Sequence, residues 1–289
     1  MPRCVANGIE IEYESFGSPT NPAMLLVMGL GMQLTGWDPE LCALLAKQGF
    51  HVIRFDNRDI GLSTHLDDAP VPDPLAVLGG DTSGVPYLLA DMADDAAGLL
   101  TALGISGAHV VGASMGGMIV QELLLRHPEL VLSACSIMST TGARDVGQPS
   151  AEAAAALIAP RAASREEAIK RGVEVWRILE SPAYPQPEPV LWEQETARYN
   201  RSFYQDGPAR QLAAILASPD RTPGLASVIA PTVVIHGDAD SLINVSGGKA
   251  TAAAIPDAEL KIYPGMGHDL PSELWASYVD AIVANTRRA

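Results

Sequence analysis

Two spacings of apolar residues alternate along the chain. Ala23-Met24-Leu25-Leu26-Val27-Met28 is an unbroken apolar run, as a strand buried on both faces requires. Pro39 to Gln48 then places its apolar residues at helical spacing and stops at Gly49, and His51 to Asp56 reads as the next strand. The rhythm repeats with an amphipathic helix from Tyr87 to Leu103, the β-branched run His109-Val110-Val111, a helix from Met115 to His127 stopped by Pro128, and a strand from Val131 to Met138. It resumes with a strand from Pro231 to His236, a helix from Gly247 to Ile255, a strand from Glu259 to Tyr263 and a helix from Ser272 to Arg287. Nearer the start, Ile9, Ile11 and Tyr13 alternate as in a half-buried strand.

Strands that alternate with helices predict an α/β protein with a mostly parallel central sheet covered by helices on both faces. Two stretches depart from the pattern. From Asp59 to Pro86 the chain is rich in Pro, Gly and Asp and reads as a long loop, a length that tends to border functional sites. From 141 to 225 only helical patterns occur, broken by prolines as in Ser181-Pro182-Ala183-Tyr184-Pro185. The expected division is a core of residues 1–140 and 226–289 with a helical insertion at 141–225.

Charge supports that division. The insertion holds ten Lys/Arg and eleven Asp/Glu, so nearly all of the net −15 resides in the rest of the chain. It also carries Trp176, Tyr184, Trp192, Tyr199, Phe203 and Tyr204, rings expected to form a small core of its own rather than a ligand cage, with room for some of them to face a pocket beneath it. An excess of negative charge disfavours binding to nucleic acid or to an anionic membrane. The most apolar segment, Ala23 to Met32, is too short to span a bilayer, and the first eight residues lack the order of a signal peptide. Cys4, Cys42 and Cys135 are scattered without a Cys-x-x-Cys pair, which predicts free thiols in a reducing cytoplasm.

The chemistry begins at Gly112-Ala113-Ser114-Met115-Gly116, where a strand breaks into Gly-x-Ser-x-Gly and a helix follows at once. In such a nucleophile elbow the serine sits on a strained turn, and glycines are needed where a side chain would strike the neighbouring strand and helix. A serine hydroxyl needs a base, and the base needs an orienting acid. In a parallel sheet both belong just beyond the strand ends. There the chain offers His236-Gly237-Asp238-Ala239-Asp240 and Pro264-Gly265-Met266-Gly267-His268. The order Ser114, Asp240, His268 is that of elbow-type serine hydrolases. Asp240 is preferred to Asp238 because it lies further into the loop, where it can turn back to the histidine; Asp238 is expected to bond nearby backbone. His236, Asp238 and Asp240 could also be read as metal ligands, but no further cluster completes a shell, so neither metal nor organic cofactor is expected. His51 and His109 start strands, His127 ends a helix and His65 lies in a loop. Negative charge developing on an acyl oxygen needs donors. One is the Met115 N–H, and the second is expected from Gly29-Leu30-Gly31-Met32 after the first apolar strand.

On these residues the chain resembles the α/β-hydrolases over nearly its whole length. The matching segments are Val27 to Gly31, Asp56-Asn57-Arg58-Asp59-Ile60-Gly61-Leu62-Ser63, the elbow at Ser114, Gly237 to Asp240 and Gly265 to His268. The resemblance implies an α/β-hydrolase fold with residues 141–225 as a helical cap after the sixth core strand. It also implies that Leu30 is the second oxyanion donor and that Asp56 to Ser63 buttresses the site. Met28-Gly29 stands where His-Gly is usual; with Gly36-Trp37 and Trp176-Arg177-Ile178-Leu179, it is similar to the branch containing aclacinomycin methylesterase. The expectation is a serine-dependent hydrolase of small carboxylic esters. The alternatives are an enol-lactonase or carbon–carbon bond hydrolase, a perhydrolase, or a non-catalytic receptor on the same fold. Oligomeric state is not legible in the sequence.

Overall fold

The computed structural model describes residues 2–289. Arg3–Ala6 (β1) and Ile9–Phe16 (β2) form a hairpin through Asn7-Gly8, both at positive φ (48° and 80°), as a two-residue type I′ turn demands. Then follow Ala23–Val27 (β3), Pro39–Lys47 (α1), His51–Phe55 (β4), Pro74–Leu78 (α2), Leu89–Ala102 (α3), Ala108–Ala113 (β5), Met115–Arg126 (α4) and Val131–Ile137 (β6). Five helices come next: Ala151–Leu157 (α5), Arg165–Leu179 (α6), Glu188–Arg201 (α7), Asp206–Ala217 (α8) and Thr222–Leu225 (α9). The chain closes with Thr232–Gly237 (β7), Ser246–Ala254 (α10), Glu259–Tyr263 (β8) and Trp275–Thr286 (α11).

The strands form one sheet in the order β1-β2-β4-β3-β5-β6-β7-β8, in which only β2 runs against the rest. Alternation along each strand feeds two cores. Leu25, Val27, Ile53, Phe55 and Val110 pack with Met92, Leu99 and Leu100 of α3 and Ile119 and Leu123 of α4. Met24, Leu26, Val52, Val111 and Ala113 pack with Leu41 and Leu45 of α1 and Tyr278 and Ile282 of α11. Leu25 and Leu26 are fully buried, and each such side chain contributes about 1.5–3 kcal/mol of transfer free energy.

From β3 the chain moves outward to β4, and from β5 it moves the other way to β6. Loops that leave neighbouring strands in opposite directions open a crevice at their carboxyl ends, where sites of parallel sheets form. The turn after β3 and the Ser114 elbow after β5 both lie at this edge.

The structure departs from the sequence reading in four places. The long loop from Asp59 holds α2, where Asp73 Oδ1 caps the Leu75 N–H at 3.0 Å and Pro74 takes the first helical position. β1 is an additional strand, created by the hairpin turn. The last helix starts at Trp275, after a separate 3₁₀ turn at Ser272–Leu274. The six aromatics of 141–225 do not form a core: none is fully buried, and Trp192 and Phe203 are exposed. Small aliphatics such as Ala153, Ile169, Val173, Leu191 and Ala213 fill the interior instead. The ring N–H groups find polar partners, Trp176 Nε1 on buried Glu195 Oε1 at 2.9 Å and Trp192 Nε1 on exposed Glu188 Oε1 at 3.3 Å. Cys42 and Cys135 are buried, and all three cysteines are free. Among the described residues no helix is long and apolar enough to cross a membrane.

Candidate active site

Ser114 joins β5 to α4 with φ 57° and ψ −121°, a conformation that costs a residue with a side chain on the order of 1–3 kcal/mol. Its neighbours explain how the turn is tolerated. A Cβ at Gly112 would lie 2.2 Å from the Gly116 carbonyl oxygen, and one at Gly116 would lie 2.0 Å from that of Val27. Only bare backbone fits there. The Ser114 N–H donates to Ile137 O at 2.9 Å, and its carbonyl accepts from Ser139 Oγ at 2.8 Å. The turn is thus pinned to the end of β6 while its hydroxyl is left free to point elsewhere.

The hydroxyl meets His268. Ser114 Oγ lies 2.9 Å from His268 Nε2, and His268 Nδ1 lies 2.8 Å from Asp240 Oδ2. A carboxylate can only accept, so Nδ1 carries the proton and Nε2 presents its lone pair to the serine hydroxyl. Asp240 Oδ1 is occupied by the N–H groups of Leu242 and Ile243 at 2.9 and 2.8 Å, which fixes the carboxylate plane. Burial alone would raise the Asp240 pKa. The adjacent His268, with hydrogen bonds from His236 and His268, outweighs it and holds the carboxyl well below its ordinary range. Asp240 therefore remains ionised.

Asp238 has a different position. Its Oδ1 accepts the Gly265 N–H at 2.7 Å, which ties the loop after β7 to the turn that carries His268. His236 is fully buried, donates from Nε2 to Ile243 O at 2.7 Å and lies 3.4 Å from Asp240 Oδ2.

The N–H of Met115, at the first position of α4, and that of Leu30 have no protein acceptor among the described residues. Leu30 belongs to a tight turn closed by Met32 N–H on Gly29 O at 3.3 Å, with Gly31 at φ 69°. Gly29 lets that turn approach: a Cβ there would lie 3.0 Å from Ser114 Cβ and 3.5 Å from Ser114 Oγ. Asn57 Nδ2 holds Met28 O at 2.9 Å, and Asp56 accepts from Leu34 N–H at 2.6 Å and Leu62 N–H at 2.8 Å. These bonds make the segment from Asp56 a support for the turn.

Other contributors carried no signal in the sequence, because they come from the helices between β6 and β7. Arg201 pairs with buried Asp56 at 2.8 Å, and Arg210 grips Asp59 through two bonds of 2.9 and 3.0 Å. Gln211 Oε1 accepts the Gly31 N–H at 2.9 Å. The backbone after α6 reaches the histidine: Leu179 O accepts the His268 N–H at 2.7 Å, and Ser181 Oγ accepts the Gly267 N–H at 2.8 Å while donating to Asp269. Burial raises the Asp269 pKa, against the bonds from Ser181 that lower it.

Comparison with known proteins places this geometry in context. The family described as serine aminopeptidase, S33, matches residues 18–274. Rhodomycin D methylesterase DauP of Streptomyces sp. strain C5 is 28% identical, with 96% of this chain and 94% of the relative covered. Among solved structures, a hydrolase from Pseudomonas aeruginosa PA01 superposes with a TM-score of 0.76 at 26% identity, covering 98% of this chain and 97% of that one. The enol-lactonase from Burkholderia xenovorans LB400 gives 0.77 at 24% identity, covering 99% of this chain and 100% of that one.

Proposed function

From the chain's membership of the serine aminopeptidase S33 family and its α/β-hydrolase fold, we propose that it hydrolyses small carboxylic esters through an acyl-enzyme on Ser114. The observation that carries the reading is the unbroken line of hydrogen bonds from Asp240 through His268 to Ser114, beside two backbone N–H groups, of Leu30 and Met115, that have no acceptor among the described residues. The serine–histidine–acid arrangement serves esters and amides alike. The methylesterase relative, matched over 96% of this chain, favours esters.

In this mechanism His268 Nε2 takes the Ser114 proton as Oγ attacks the ester carbonyl. The tetrahedral oxyanion is held by the Leu30 and Met115 N–H groups, assisted by the positive end of α4. His268 returns the proton to the leaving alcohol. It then activates a water that releases the acid from Ser114. Asp240 keeps Nδ1 protonated and stabilises the imidazolium formed in each half of the cycle. Residues 141–225 act as a cap: their bonds to Gly31, Asp56, Asp59 and His268 set each loop around the reacting atoms.

The lactonase and carbon–carbon hydrolase alternatives act on carboxylate-bearing substrates, which call for a spare buried cation. The well-buried arginines of 141–225 already face carboxylates: Arg198 with Glu195, Arg201 with Asp56, Arg210 with Asp59 and Arg221 with Glu122. Arg201 alone keeps buried N–H groups, Nε and Nη2, without a partner among the described residues, so it is the position from which a carboxylate-bearing substrate would be held. The test is steady-state hydrolysis of p-nitrophenyl acetate, butyrate and octanoate by wild type and Ser114→Ala. Turnover by wild type with a loss of several powers of ten in the variant is expected. Equal rates in the two proteins would refute the reading, and wild-type inactivity on all three esters would move the lactone and carbon–carbon substrates to the front.

A further inference from the structure

The turn that carries Leu30 has a built-in freedom. With a bond from residue 32 to residue 29 and positive φ only at Gly31, it has type II geometry. Types I and II differ by a flip of the central peptide, here Leu30–Gly31, which glycine at the third position admits; the flip turns the Leu30 carbonyl and the Gly31 N–H, while the Leu30 N–H, in the peptide before, is held through the shared Leu30 Cα. What holds the observed form is the Gly31 N–H bond to Gln211 Oε1 at 2.9 Å.

Gln211 is well placed for that task. It is fully buried, and its Nε2 donates to Arg58 O at 2.9 Å, so the amide can neither rotate nor turn to solvent without losing a bond. The helix that carries it docks by its first turns. A Cβ at Gly207 would lie 1.8 Å from Asp59 O, Pro208 lies against Gly31, and Arg210 grips Asp59. Leu30 is thereby bracketed by two side-chain amides. Asn57 fixes the carbonyl two residues before it, and Gln211 fixes the N–H of the residue after it.

We propose that Gln211 is a positioning residue for the oxyanion donor Leu30: by anchoring the peptide that follows Leu30, while Asn57 anchors the Met28 carbonyl before it, this one amide latches the turn, and with it the Leu30 N–H, in place beside Ser114. The proposal rests on the reading of Ser114 as nucleophile and Leu30 as oxyanion donor. An oxyanion donor contributes about 10²–10³-fold to turnover, and its value depends on placement to within a fraction of an ångström. Releasing the latch should therefore reduce turnover roughly tenfold or more while leaving ground-state binding intact.

The experiment compares wild type, Gln211→Met and Ser114→Ala on p-nitrophenyl butyrate. It adds inhibition by butylboronic acid, which forms a tetrahedral anion on a serine oxygen, and by butyramide, which stays planar and neutral. The expected result for Gln211→Met is a kcat lowered about tenfold or more, KM within about threefold, and boronate affinity lowered in step with kcat/KM while butyramide affinity holds. Equal weakening of both inhibitors would assign Gln211 a general structural role and overturn the proposal, as would an unchanged kcat. If Gln211→Met lacks a cooperative thermal transition, Gln211→Ala takes its place, since the space it opens admits a water that satisfies Gly31 and Arg58 without fixing the turn; the same selective loss is expected and its absence overturns the proposal. Undiminished hydrolysis by Ser114→Ala would overturn the functional reading along with this one, whereas an inactive Ser114→Ala beside an unaffected Gln211→Met overturns the Gln211 proposal alone.

Discussion

Replacement of Arg210 by Met removes the cation from a pair in which both side chains are inaccessible to solvent. Burial disfavours the guanidinium charge, but the bonds and charge of Asp59 more than offset it and raise the Arg210 pKa. In Arg210→Met the Asp59 carboxylate loses its cation and keeps the Leu66 N–H, at 2.7 Å. An uncompensated buried charge costs about 3–5 kcal/mol, a large share of the roughly 5–15 kcal/mol that holds a protein folded. For a chain of this length the melting temperature should fall by about 5–10 °C. Arg126→Met is the control, because its pair with Asp94 is substantially exposed, and about 0–1 kcal/mol is expected there. Asp59→Asn in the Arg210→Met background should recover part of the loss. The position tolerates it, since Asp59 sits at φ 66°, a region asparagine shares with aspartate. Thermal and urea unfolding of Arg210→Met, Asp59→Asn alone and the double variant complete the cycle. A loss from Arg210→Met no larger than that from Arg126→Met, or strictly additive single effects, would refute the reasoning.

Three further outcomes follow from the same geometry. Gly116→Ala places a Cβ 2.0 Å from Val27 O and should unfold or strongly destabilise the protein, while Gly84→Ala, which meets nothing within 4 Å, should leave the melting temperature nearly unchanged. Asp240→Asn should lower kcat on the order of 10⁴-fold by allowing the wrong histidine tautomer, and Asp238→Asn, which retains an oxygen for the Gly265 N–H, should lower it less than about tenfold. Comparable losses in the two would show that the acid has been misassigned. The Asp240 pKa is depressed on folding, so its stabilising contribution is fully present above the ordinary carboxylate value of 3.8 and is lost as pH falls through the folded-state value. The melting-temperature gap between wild type and Asp240→Asn should therefore hold down to about pH 4 and narrow progressively below that, and a gap that widens there would contradict the sign.

The legible parts of this protein are those set by local chemistry. The elbow could be read because steric exclusion around Ser114 demands glycine at two fixed offsets, and the strands because burial on both faces demands unbroken apolar runs. Asp240 and His268 could be singled out as candidates because sites of parallel sheets gather beyond strand ends, and their side chains do meet Ser114 in a line of hydrogen bonds. The contacts that hold the Gly29–Met32 turn and the Asp59 loop in place were silent. Gly31 and Gln211 are 180 residues apart and Asp59 and Arg210 are 151 apart, joined only by helix docking, and neither residue type nor spacing announces the pair. Composition misled at the six aromatics of 141–225. Their number suggested a core, but rings that carry an N–H or O–H stay partly exposed while that group bonds Glu195, Glu188 or Arg210. The short helix after Asp73 was hidden for the opposite reason: its Asp-Pro start is also a turn signal, and five residues are too few to show a period.

The most direct test of Ser114 as nucleophile is to quench the reaction with p-nitrophenyl acetate in acid within the first turnover and map the acetylated peptide by mass spectrometry. The account predicts a single acetyl group on Ser114 in wild type and none in Ser114→Ala. Acetylation at another side chain, or rapid wild-type turnover with Ser114 unmodified at every time point, would contradict it.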